Sequence, residues 1–228
     1  MCPYLLEHQT TIWSALITPT TTLLAAFLGA GFAFVLQNMK EKRKENNANV
    51  FALNKVQINL VQQLNALIIF NKDFIKPNKE HPINWVAIPA APHRDYSKLQ
   101  IDGSSLSFLI ENNYSTLISK VLITEEKFHE VMNLINIRSK THLNRLQPKL
   151  EEIGFKEGEP FNLSVEEVEN LLGARLVGEL KRVTDGLISS TEDAISSHEE
   201  MIKELKQAGN IIFPKKRILS FGYEKNEK

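Results

Sequence analysis

Apolar and polar positions fall into two regimes along this chain. Gln9 to Met39 is thirty-one consecutive residues without an Asp, Glu, Lys or Arg, and Lys40-Glu41-Lys42-Arg43-Lys44 follows at once. Beyond it the apolar residues come in stripes. Val50, Leu53, Leu60, Leu64, Leu67, Phe74 and Ile75 recur at three- and four-residue steps, the helical period. No Pro or Gly interrupts Lys40 to Lys76, and Pro77 ends the run. Helix one is therefore predicted to extend about 57 Å past Met39 at 1.5 Å per residue.

Two further helices follow. Gly103-Ser104-Ser105 reads as loop and N-cap before Leu106-Ser107-Phe108-Leu109. The stripe Leu117, Val121, Phe128, Val131, Ile135, Leu146, Leu150, Ile153 then reaches Gly154, with Pro148 bending its end. Ser164 and Glu167 form a capping-box pattern. It opens a third stripe of Val165, Val168, Leu172, Leu176, Leu180, Val183, Leu187, Ala194, Met201 and Leu205, stopped by Gly209. No run reads as strand. The expected fold is all-α: one N-terminal transmembrane helix continuing into a cytosolic, antiparallel, coiled-coil-like three-helix bundle. The expected segments are a short external N-terminus (1–11), the span (12–38), its cytosolic continuation (39–76), a Pro-rich distal loop (77–105), helix two (106–154), a loop (155–163), helix three (164–208) and a tail (209–228).

The charge-free run is long enough to span a bilayer, which takes about 20 apolar helical residues. A signal peptide fits worse, because Met1 to His8 contains Glu7 and no Lys or Arg, and the basic cluster comes after the run. A buried soluble helix seldom runs so far without a charge. Positive flanks stay in the cytoplasm, so the N-terminus is expected outside and the rest inside an inner, or cell, membrane. Lys40, Lys42, Arg43 and Lys44 then anchor the helix at the membrane surface, and Trp13 suits the opposite interface. Pro19 either kinks the span or begins it with Thr18 as N-cap. Thr21, Ala25, Gly29 and Ala33 form a small-residue ladder at four-residue steps, the pattern that lets two membrane helices approach closely and self-associate.

Composition narrows the function classes. Lys+Arg and Asp+Glu balance at 27 each, so no global field favours nucleic acid, and none is expected as a partner. The single cysteine, Cys2, excludes an intrachain disulfide and a multi-cysteine metal site. Glu126-Lys127-Phe128-His129 has the Glu-x-x-His spacing of carboxylate-bridged metal bundles, but those use two copies. His198-Glu199-Glu200-Met201-Ile202 lacks the second His of a zinc helix. No Gly-rich phosphate loop or Gly-x-Ser-x-Gly is present. Catalytic residues, metal, cofactor and small-molecule substrate are therefore all expected to be none. Arg138, His142, Thr191 and His198 fall on apolar stripes, where a polar group finds a partner and sets register, or acts as a ligand or pH-switch position.

The loop 77–105 is too apolar for disorder, with Trp85, Val86, Ile88, Tyr96, Leu99 and Ile101. It is expected to fold against the tail Ile211 to Phe221 as a distal cap burying Trp85 and Phe213. Trp85, Tyr96, Phe213 and Arg217 would then recruit a protein partner.

The span with its basic exit, Leu106-Ser107-Phe108-Leu109, Ile137-Arg138 through His142, and the Phe213-Pro214 tail together resemble a loose group of uncharacterised bacterial single-pass inner-membrane proteins with a long helical cytosolic region. The resemblance implies location and shape and carries no catalytic residues. The expected function is a membrane-anchored, non-enzymatic scaffold or adaptor. The alternative is a self-oligomerising inner-membrane effector, membrane-perturbing and defence-related.

Overall fold

A computed structural model describes the backbone of residues 4–92, 94–152, 154 and 164–221, and their side chains except those of 4–20 and 22. Cys2, the Trp13 and Pro19 side chains, and the 155–163 connection lie outside the described residues. Helix makes up 81% of the chain, with no strand among the described residues. Two compact units are present, Met1–Ala48 and Asn49–Lys228.

The first unit is helix. Helix α1 runs Tyr4–Phe70 without a break at Pro19, so the alternative of a start there is not what is seen. Its apolar side chains face outward: Leu23 is 59% exposed, Phe27 73% and Phe32 69%. The helix is long and apolar enough to cross a membrane.

In the second unit α1 ends in a wide π turn, Asn71–Ile75. Then come the short α2 (Asn84–Ala87) and α3 (Phe108–Glu111), α4 (Ser115–Thr141), a second π turn (His142–Leu146) and α5 (Gln147–Glu152). Helices α6 (Val165–Leu172) and α7 (Ala174–Ile212) complete the order. The second predicted helix is thus interrupted twice. Asn113 sits at φ 63°, a left-handed position Asn tolerates, and ends α3. The π turn widens the backbone just before Pro148, whose ring and missing N–H do not fit a regular turn. The third predicted helix divides at Gly173, φ 83°, while Ser164 and Glu167 form the capping box in full.

The core consists of three apolar clusters, and their membership fixes the helix directions. Helix α1 gives Leu53, Val56, Leu60 and Leu64 to the first cluster and Leu67 and Phe70 to the second. Helix α4 gives Leu117 and Val121 to the first and Phe128, Val131 and Ile135 to the second; beyond it Leu146 and Leu150 join the third. Helix α7 reads in reverse, with Met201 to Ala208 in the first, Leu187 to Ala194 in the second and Leu176 to Leu180 in the third. Its ion pairs with the α4 side agree: Lys120 meets Glu204, Lys127 meets Asp193, and Arg145 meets Glu179. The α1 segment and α4 are therefore parallel, and α7 opposes both.

This corrects the expected strictly antiparallel order. A parallel pair needs a long connection, and the stretch between Ile75 and Leu106 supplies it. Trp85 lies in the third cluster, Ile88 in the second, and Ile101 and Leu106 in the first. The stretch crosses back along the helices; it is not a cap at one end.

Gly209 marks the tightest approach. A Cβ there would lie 2.5 Å from Leu53 Cδ2 and 3.1 Å from Ile218 Cγ1. Gly209→Val is expected to destabilise the unit by about 1–3 kcal/mol. The coupling is checked by thermal denaturation of Gly209→Ala with and without Leu53→Ala; additive effects would remove Leu53 as the cause.

Candidate protein-interaction site

Side chains from the parallel helices hold the crossover, because extended backbone must have its polar groups satisfied. Arg138, 1% exposed, does most of this. Its guanidinium donates to Thr184 Oγ1 at 3.2 Å, Pro89 O at 3.0 Å, Trp85 O at 3.2 Å, and Ile88 O. Ser139 Oγ accepts from Ala91 N–H, and Glu125 Oε1 accepts from Ile101 N–H at 2.6 Å. From α1, Asn59 donates to Gln100 O and Gln63 to Leu99 O, each at 3.0 Å. Burial pushes the Arg138 pKa down to about 10, so it stays charged at neutral pH.

Held this way, Ala91, Pro92, Arg94 and Tyr96 line a groove of about 60 Å³ with residues from the end of α1, the π turn after it and α4, against the ~10–15 Å³ a single water occupies. Its floor and walls include Ala66, Ile69, Phe74, Ala91, Tyr96 and Met132, and Asp73 and Arg94 line it as well. The Phe70 and Phe74 rings stack at 5.2 Å, and Tyr96 meets Phe128 edge-on at 5.4 Å. Apolar walls with a few charged groups suit one apolar side chain of a partner peptide. Sequence reasoning placed only Tyr96 here. Of the other groove residues only Phe74 and Ile135 fall on the predicted stripes, and the π turn at the end of α1 gave no sequence signal beyond Pro77.

The four expected cap residues do not share a surface. Trp85 is 2% exposed in the third cluster and Phe213 6% exposed in the first. Tyr96 is half-buried against the second, and Arg217 is exposed on the tail. Trp85 is spent on the core, its ring beneath Lys181 Nζ at 5.8 Å. In the first unit, Thr21, Ala25, Gly29 and Ala33 are all exposed, as are Lys40, Lys42, Arg43 and Lys44.

The stripe polar residues find mixed fates. Thr191 Oγ1 donates to Leu187 O at 2.6 Å. His198, fully buried, is held between two acceptors, Ala194 O at 2.7 Å from Nδ1 and Gln63 Oε1 at 3.1 Å from Nε2. Two acceptors favour the imidazolium, but burial outweighs them and, with Lys127 nearby, holds the pKa down to about 4. His142 is 8% exposed, its Nδ1 has no partner among the described residues, and burial with Arg138 one turn away lowers its pKa to about 4. Among the described residues no group of three His, Cys, Asp or Glu is placed to hold a metal ion. His129 Nε2 lies 3.8 Å from Glu125 Oε1, not against Glu126. No protein-family model, curated protein or solved structure matches this chain.

Proposed function

We propose that this protein is a membrane-anchored, non-enzymatic adaptor. The observation that carries the reading is α1: an outward-facing apolar helix, long enough to span a bilayer, whose chain leads straight into an ordered helical unit. On this reading the N-terminus is outside, the helical unit is cytoplasmic, and Lys40, Lys42, Arg43 and Lys44 sit at the inner surface. The partner-binding surface is the groove around Tyr96 and Met132 rather than Trp85 and Phe213, which the core already occupies. A partner inserts one apolar side chain beside Asp73 and Arg94. The three long helices give the groove a rigid mount.

Photo-crosslinking from position 132 in the native membrane, read by mass spectrometry, tests this. The expected product is one distinct protein, lost when Ile69→Asp is added while the fold, judged by circular dichroism, is kept. Crosslinks to lipid or to nothing would reject the groove. A second reading is self-association as a membrane effector, for which the exposed small-residue ladder Thr21, Ala25, Gly29 and Ala33 would be the contact face. Crosslinks from the span only to a second copy, abolished by Gly29→Leu, would move the assignment there.

A further inference from the structure

We infer that one end of the 49–228 unit rests directly on an anionic lipid surface through the turn Pro214–Arg217. This deepens the membrane-anchored reading and rests on it. Helix α7 stops at Ile212, and Lys216 N–H donates to Phe213 O at 2.9 Å, closing a turn. The chain then folds back: Ile218 is buried against Gly209, Leu219 N–H donates to Asn54 Oδ1 at 3.0 Å, and Lys206 Nζ donates to Ser220 Oγ at 2.7 Å. The turn is thereby fixed at the end of the unit where its first residues, Val50 to Asn54, also lie. Lys215 and Arg217 are exposed on it.

Among the described residues, the unit's most exposed large apolar side chains are at the same end. Phe51 is 72% exposed, Ile211 67% and Ile110 58%, whereas among the described residues no other large apolar residue of the unit exceeds Ile123 at 53%. Phe51 is two residues from Leu53, which touches Gly209. Ile211 closes α7, and Ile110 follows Phe108, whose ring lies 5.6 Å from that of Phe213. Exposed aromatic and aliphatic groups beside basic ones are the chemistry of a headgroup-level surface, the apolar groups entering the acyl boundary and the cations meeting phosphates. Glu111 is the acid beside Ile110, so the attraction is centred on the Pro214–Arg217 turn. Each basic residue shifts the docked-to-undocked ratio roughly fivefold, so Lys215 and Arg217 together shift it by roughly twenty-five-fold.

The test uses the full chain with Cys2→Ser and single cysteines carrying an environment-sensitive dye, in nanodiscs whose lipids have brominated, quenching tails. Dyes at Ile211→Cys, Leu171→Cys and Phe27→Cys report the tip, a site in the third-cluster region and the span. In phosphatidylglycerol-containing discs the 211 dye is expected to be quenched and the 171 dye not. Lys215→Glu/Arg217→Glu should release it, as should 1 M salt, which contracts the Debye length to about 3 Å. A quenched 27 dye with 211 no more quenched than 171 overturns the docking and leaves the anchor intact. An unquenched 27 dye removes the anchored reading and the docking with it. Quenching of 211 equally in purely zwitterionic discs overturns the electrostatic assignment.

Discussion

Arg138→Ala is expected to lower the stability of the helical unit by about 3–5 kcal/mol. Three crossover carbonyls, of Trp85, Ile88 and Pro89, accept from this guanidinium. A buried acceptor left without a donor costs about 1–3 kcal/mol, and the truncated side chain leaves a cavity. Against this, a charge with no carboxylate beside it among the described residues is no longer buried, which returns part of the loss. The loss should be local before it is global. Limited proteolysis should cut between Pro77 and Ser105 at denaturant concentrations where the long helices remain folded. Arg138→Lys should restore little, since one ammonium cannot reproduce the fork that reaches four acceptors. Urea midpoints within about 0.5 kcal/mol of the parent would show that the crossover is held by Trp85 and Ile88 packing instead.

Acid should destabilise the unit steeply. His142 and His198 each have pKa values near 4 when folded, against about 6.5 when unfolded. The unfolded chain therefore binds more protons in this window, and stability rises with pH. Their contribution is complete above pH 6.5 and is lost as pH falls towards 4, at about 2.7 kcal/mol per pH unit for the two together. At pH 5.5 the loss is about 1.4 kcal/mol per histidine. Urea denaturation at pH 7.5, 6.5 and 5.5 measures the slope, and His198→Gln should halve it. A flat profile from 7.5 to 5.5 would mean that the two acceptors at His198 and the cleft at His142 keep the rings protonated.

Periodicity made the helical class legible, because steps of three and four persist wherever an apolar face meets the core. Ser164 and Glu167 announced their cap as a purely local motif. Direction was not legible. Leu53 and Leu117 obey the same period whether α1 and α4 run parallel or opposed, and only the destination of residues 76–107 separates the two. The apolar content of that stretch argued for order, but a cap and a crossover bury Trp85 equally well. The groove at Tyr96 and Met132 was invisible for a related reason: it forms from residues of two helices and the crossover, and from a π turn that leaves no residue signature. Arg138 stood out on its stripe, and its carbonyl acceptors, 49 to 53 residues back in sequence, could not be read from spacing.

The bond from Leu219 N–H to Asn54 Oδ1 joins residues 165 positions apart and sets the order in which the unit can assemble. Loop closure over such a distance comes late, since its entropy must be met before the contact returns anything. During synthesis Leu53, Leu60 and Leu64 emerge early, yet their partners Met201 to Ala208 and Ile218 are made last. For most of translation the first cluster is therefore an open apolar strip on a growing helix. Fusing a slow-folding or bulky domain after residue 221 should lengthen that exposed period, so aggregation during expression, rather than loss of final stability, is the expected penalty.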